Sequence, residues 1–119
     1  MRYYRGLIEY REWVGLMSRM KDKVTVISGG NSGIGRAISL TFAREGATVV
    51  MLARNEDTAS ETLGMIESAG GKAIFLPCDV TQVEQCEKAI QQTVAQFGKM
   101  DVLVNNAGII YRYKNVIES

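Results

Sequence analysis

A chain of 119 residues has room for one domain. With 46% hydrophobic and 23% charged residues it reads as an ordinary soluble globular protein, and from a net charge of +1 no strongly charged face for nucleic acid or an anionic membrane can be read. No apolar run approaches the ~20 residues of a membrane span, and the N-terminal arginines flank no continuous apolar stretch of the kind a secretory signal needs. Cys78 and Cys86 are the only cysteines and histidine is absent, which excludes a zinc site, a disulfide framework and every Ser-His or Cys-His mechanism. The two thiols are read as reduced, in a cytoplasmic protein.

Leu7, Tyr10, Trp13, Val14 and Met17 recur at helical spacing in residues 1–19. Two readings stand side by side: an extra amphipathic helix weakened by Gly6 and Gly15, or a start assigned upstream of a natural beginning near Met20. From Lys23 a regular rhythm begins. Val24–Ser28 is β-rich and ends at a glycine cluster, which predicts a first strand. Ile34, Ile38 and Phe42 recur every four residues and predict one apolar helix face, closed at Gly46. Residues 47–53 predict a second strand, apolar on both sides as in a buried parallel sheet.

A second helix is expected over Glu56 to Ser68, with Ala59, Leu63 and Ile66 inward. Residues 73–76 predict a third strand that Pro77 ends. Thr81-Gln82-Val83-Glu84 has the form of a capping box. It should open a third helix with Val83, Cys86, Ile90, Val94 and Phe97 on its inner face and a stop at Gly98. Val102-Leu103-Val104 predicts a fourth strand. The fold class is therefore α/β: a Rossmann-like doubly wound parallel sheet of about four strands ordered 3-2-1-4, with helices on both faces. Residues 20–110 form the dinucleotide-binding half-domain and 111–119 a shortened tail. The fourth strand is expected to be left as an apolar edge inviting self-association.

The sharpest motif is Ser28-Gly29-Gly30-Asn31-Ser32-Gly33-Ile34-Gly35, set between a strand and a helix. Glycines there let the backbone come close to a pyrophosphate, and the helix N-terminus favours its charge. No Gly-Lys-[Ser/Thr] follows, so the loop is not a P-loop. The second strand ends Ala53-Arg54-Asn55, at the distance where this fold recognises the adenosine ribose. No acid stands there, and Arg54 offers a cation suited to a 2′-phosphate, which points to NADP, with NAD as the other candidate. The bland alternative is a surface arginine opening a helix.

These residues carry a resemblance to the short-chain dehydrogenases/reductases. Ser28-Gly-x-x-x-Gly-Ile-Gly35 resembles that family's Thr-Gly-x-x-x-Gly-Ile-Gly motif, and Cys78-Asp79-Val80 is similar to its Asp-Val pair. Asn105-Asn106-Ala107-Gly108 matches its Asn-Asn-Ala-Gly signature letter for letter. The resemblance covers Lys21 to about Ile110. It implies a cofactor site of Gly29, Asn31, Ser32, Gly33, Ile34, Gly35, Arg54, Asn55, Asp79, Val80, Asn106, Ala107 and Gly108. Within it, Asp79 would bond the adenine amino group and Val80 touch the ring. A structural role for Asn105 and Asn106 as buried amides, and a capping role for Asp79 near Thr81, remain open.

The family's catalytic serine and Tyr-x-x-x-Lys pair have no counterpart: the residues four after Tyr111 and Tyr113 are Asn115 and Ile117. No catalytic residue is assigned, and the chain alone is expected to be inactive. The resemblance implies an NAD(P)-dependent oxidoreductase moving hydride between nicotinamide and an alcohol/carbonyl pair, of which this chain supplies the cofactor half. The alternatives are a non-catalytic dinucleotide-binding or interaction module, a non-functional gene fragment, or a methyltransferase-like nucleotide fold, against which Arg54 and the paired asparagines argue. Neither nucleic acid nor membrane is expected as a partner, and a small-molecule substrate only in a complete protein.

Overall fold

The computed structural model describes the backbone of Arg2–Arg5 and residues 20–106 in full. Strands β1 (Arg2–Arg5), β2 (Val24–Ser28), β3 (Thr48–Ala53), β4 (Lys72–Pro77) and β5 (Val102–Asn105) alternate from β2 onward with helices α1 (Gly33–Arg44), α2 (Glu56–Ser68) and α3 (Val83–Phe97). All pairings are parallel and the sheet order is β1-β5-β2-β3-β4. The four strands expected from sequence thus stand in the expected order.

Period-two alternation decides which face each side chain serves. On β3, Val49 and Met51 join Ile27, Val102 and Val104 under α1 and α2, which contribute Ile38, Phe42, Ala43 and Ile66. The intervening Val50 and Leu52 join Val24, Val26 and Leu103 under α3, which contributes Cys86, Ala89 and Ile90. Among the described residues, two helices therefore cover one face and one the other. β4 is only half-buried, and as an edge strand it tolerates the missing donor of Pro77.

Local chemistry sets the helix ends. Asn55 caps α2, its Oδ1 accepting from the Thr58 N–H at 3.1 Å, and Glu56 and Asp57 in the first turn complement the dipole. Gly98 ends α3 with φ +79°, a conformation that a residue bearing Cβ resists, and its N–H closes on the Val94 carbonyl at 2.8 Å. At the start of β5, the Asp101 carboxylate accepts from the Val24 N–H at 2.8 Å and pairs with Lys99 at 3.1 Å. Burial pulls that carboxyl upward, but the Val24 N–H and the lysines Lys99 and Lys23 outweigh it and hold it below the usual carboxylate range.

Four expectations are corrected. The capping box does not form: Gln82 is the N-cap of α3 without a side-chain bond, because the Thr81 hydroxyl donates instead to Asp79. Val94 is exposed and Thr93 is buried in its stead, its hydroxyl satisfied by the Ala89 carbonyl at 2.8 Å. A polar residue whose hydroxyl bonds back into its own helix can face a core, and the apolar period does not reveal it. Ile34 leaves the apolar face of α1 and is 67% exposed.

The fourth correction concerns the edge. β5 is not bare: Arg2–Arg5 pairs along its outer side, Arg2 opposite Val102 and Arg5 opposite Asn105. The start of the supposed N-terminal helix is thus a strand, while Leu7, Tyr10, Trp13, Val14 and Met17 lie outside the described residues. The place β1 takes is the one that the strand order 3-2-1-4-5-6 gives to a fifth strand. Deleting Met1–Arg5 should uncover the β5 edge and shift the chain towards larger species in concentration-dependent sedimentation. A sedimentation profile identical to that of the full chain would show that β1 shields nothing.

Candidate functional site

Because every strand runs the same way, the ends Ser28, Ala53, Pro77 and Asn105 gather at one rim of the sheet. The chain leaves β2 there for α1 on one face, while α3 on the other face leads into β5, so the strand order reverses between β2 and β5. Such a switch point opens a crevice beyond the strand ends, where ligands of open α/β sheets bind.

The glycine loop lies across that crevice. Gly29 donates its N–H to the Leu52 carbonyl at 2.8 Å, and its own carbonyl accepts from the Asn106 side-chain amide at 3.4 Å. Against this carbonyl sits Gly35, in the first turn of α1. A Cβ on Gly35 would lie 1.8 Å from the Gly29 oxygen and 2.9 Å from Asn106 Nδ2, so only glycine lets the loop and the helix close together. Ser39, fully buried, accepts this geometry by donating to the Gly30 and Gly35 carbonyls at 3.0 and 2.9 Å. Ser32 is the N-cap of α1 and makes no side-chain cap, which leaves the N-terminal amides of α1 at Gly33, Ile34 and Gly35 without a side-chain acceptor there. Exposed Ile34 stands at the same end.

Arg54 and Asn55 follow β3 at the same rim. Arg54 is largely exposed, 3.9 Å from an oxygen of Asp79. Asp79 follows β4, and its other oxygen accepts from the Thr81 hydroxyl at 2.6 Å and the Thr81 N–H at 3.0 Å. Those two bonds, with a smaller contribution from Arg54, hold its carboxyl below the ordinary range. Val80, half-buried, packs against the α3-side core. Asp79 is therefore part of the turn into α3, and one carboxylate oxygen still faces Arg54.

Behind it, Cys78 and Cys86 are buried with their sulfurs 3.6 Å apart. Burial raises both thiols, Cys86 to about 12, so they stay protonated at neutral pH. Asn105 is buried, its Oδ1 accepting from the Ser28 hydroxyl at 3.4 Å and so tying β5 to β2, while Asn106 reaches the glycine loop. Asn105 thus braces the sheet, and the Asn106 amide braces the loop. Ala107 and Gly108 lie outside the described residues.

Three residues that sequence reading passed over complete the site. Asn31 is turned inward, its amide donating to the Thr58 hydroxyl, and its carbonyl accepts from Thr62 Oγ1 at 2.8 Å and Arg36 Nε at 3.2 Å. Arg36, Thr58 and Thr62 carry no motif signal. Only their helical spacing, with Thr58 and Thr62 four apart on α2, could have marked a shared polar face.

A dinucleotide fits this arrangement on one structural observation: the glycine loop packs so closely on the first turn of α1 that a Cβ at Gly35 would strike the Gly29 carbonyl, and Ser32 leaves the helix start without a side-chain cap. Comparison with known proteins agrees. The family model described as "short chain dehydrogenase" matches residues 23–118. The chain is 41% identical over 103 residues to the 3beta-hydroxysteroid dehydrogenase of Mediterraneibacter gnavus, covering 87% of this chain and 37% of that protein. Its fold resembles the crystal structure of a hydroxysteroid dehydrogenase from Escherichia coli, with TM-score 0.73 and 37% identity over 77% of this chain and 39% of that one. It also resembles an NADH-dependent reductase complexed with NAD, with TM-score 0.68 and 32% identity over 75% of this chain and 37% of that one. The chain thus spans under two-fifths of the length of these relatives, and it belongs to the short-chain dehydrogenase family.

Proposed function

We propose that residues 20–110 are the dinucleotide-binding unit of an NAD(P)-dependent oxidoreductase that prefers NADP. The observation that carries this reading is the loop from Gly29 to Gly35, seated on α1 at the switch point of the sheet. The amides of Gly33, Ile34 and Gly35 would meet the pyrophosphate, and Ile34 would lose its exposure against the ligand. Asn106 would hold the loop from below and, with Ala107 and Gly108, line the nicotinamide side. Gly29, Asn31 and Ser32 shape the loop, Asn55 orders the turn after β3, and Asp79 with Val80 would border the adenine.

Preference for NADP rests on Arg54. Ala53 leaves empty the position from which an acid would take the ribose hydroxyls, and the fork of the neighbouring Arg54, largely exposed, suits a 2′-phosphate. When bound, the nicotinamide would supply hydride chemistry, which in this family interconverts an alcohol and its carbonyl compound. The 119 residues contain no tyrosine with a lysine four positions on, so the contribution of this chain is to bind and orient the cofactor. The buried, protonated thiol pair accords with a reducing, cytoplasmic setting.

Titration of the chain with NADPH and with NADH at fixed salt, followed by nicotinamide fluorescence, tests the reading. NADPH should bind more tightly, and Arg54→Ala should remove about tenfold or more of that affinity while leaving NADH unchanged, as expected for a charge-assisted bond to phosphate. Equal binding of both cofactors that Arg54→Ala does not alter would sink the NADP preference. Binding of neither would sink the cofactor role itself.

A further inference from the structure

Arg36 is a cation in the first turn of α1, where the helix dipole opposes positive charge and where an anion is expected to dock. Its surroundings account for the placement. Nε donates both to Thr62 Oγ1 at 2.8 Å and to the Asn31 carbonyl at 3.2 Å, and one terminal nitrogen pairs with Glu61 at 2.9 Å. Thr62 is fully buried, and its hydroxyl lies between Arg36, Asn31 and the Thr58 carbonyl. Thr58 in turn accepts from the Asn31 amide and donates its hydroxyl hydrogen towards the Asn55 carbonyl at 3.2 Å. The chain of bonds begins at the glycine loop and ends at the residue beside Arg54.

We propose that Arg36 is a positioning residue that, through Thr62 and Asn31, clamps the glycine loop to the first turn of α2, so that the pyrophosphate and 2′-phosphate sites engage the cofactor as one rigid unit. The inference rests on the NADP reading of Arg54 and extends it. A dinucleotide must satisfy both sites at once, and two sites on a rigid frame reinforce each other as linked binding modules do. Loosening the frame lets the loop hold the pyrophosphate in places from which Arg54 no longer reaches the ribose. The guanidinium of Arg36 is occupied by protein acceptors at Nε and one terminal nitrogen, which separates this role from that of a direct phosphate ligand.

The test is a double-mutant cycle of Arg36→Ala and Arg54→Ala, read as dissociation constants for NADPH and NADH. With Arg36 in place, Arg54→Ala should weaken NADPH about tenfold; with Arg36→Ala already present, the same change should cost about twofold or less, because coupled residues do not add. Thr62→Val, which keeps shape and removes the hydroxyl, should reproduce the loss of coupling, and Thr62→Ser should restore it. A purely structural role would weaken both cofactors alike and leave the Arg54 effect at its full size, which overturns the clamp alone. An Arg36→Ala loss that Thr62→Val fails to reproduce would make Arg36 a direct phosphate ligand and overturn the clamp as well. Should Arg54→Ala leave NADPH binding intact in the otherwise unaltered chain, the 2′-phosphate reading falls and this inference with it.

Discussion

Gly35→Ala is expected to lower the affinity for NADPH and NADH at least a hundredfold, because a loop displaced by about 1 Å no longer presents its amides to the pyrophosphate. The added Cβ would start 1.8 Å from the Gly29 oxygen, and real contacts of that kind essentially never fall below 3.0 Å. Gly29 must therefore retreat by more than an ångström. It cannot do so freely: its N–H is fixed to Leu52, and its carbonyl is held by Asn106. The obstacle is backbone, not the movable end of a side chain. Overpacking of this kind also costs about 1–3 kcal/mol of stability.

Gly64→Ala supplies the contrast. Gly64 lies in the middle of α2, exposed, and a Cβ there meets nothing within 4 Å. The same chemical change should stabilise the chain by about 0.5–1 kcal/mol, the helix-propensity difference, without touching cofactor affinity. Thermal unfolding and nicotinamide fluorescence on the two variants check both halves. Affinity within a few-fold of the starting chain in Gly35→Ala would mean that the loop does not seat on α1 in the bound protein.

The contrast between these glycines also marks what a sequence can convey. Gly35 was legible because it belongs to a spaced motif between a strand and a helix, and the motif encodes a local backbone demand. The same holds for Val24–Ser28 and Glu56–Ser68, where structure and expectation share their bounds: apolar runs and helical spacing are local signals. Thr62 was not legible. It occupies a buried position on α2 next to Leu63, which the apolar period places inward, and besides the Thr58 carbonyl of its own helix its hydroxyl is satisfied by Arg36 and Asn31, 26 and 31 residues away. Arg36 looks from sequence like a solvated helix charge, and it becomes a clamp only when α1 and α2 lie side by side.

β1 escaped notice for a related reason. Arg-Tyr-Tyr-Arg shows no sustained alternation, and its partner β5 is about a hundred residues away in the chain. Parallel pairing at that separation is a property of the whole fold, not of either segment. The site followed the same division. Residues fixed by one turn of backbone carry a sequence signal, whereas the part of the candidate site that joins α1 to α2 arises only from packing.

Phe42→Ala should be the most damaging single change to the core, by about 3–5 kcal/mol. Phe42 is fully buried on α1, within the cluster of Met20, Ile27, Ile38, Val49 and Ile66 that fixes this helix to the sheet. Domains of this size hold roughly 5–15 kcal/mol in total, so the variant should lie near the edge of folding. The loss matters for function because α1 is the helix that carries Gly35 and receives the loop. A ligand that binds only the folded state returns part of the deficit by mass action, about 2.7 kcal/mol at a hundred times its dissociation constant. Urea unfolding of Phe42→Ala should therefore show a much lowered midpoint without cofactor and a clear partial recovery with NADPH in excess. An unchanged midpoint without cofactor would remove Phe42 from the core that seats α1. A lowered midpoint that excess NADPH fails to raise, in both the variant and the parent chain, would detach the fold from the cofactor it is read as binding.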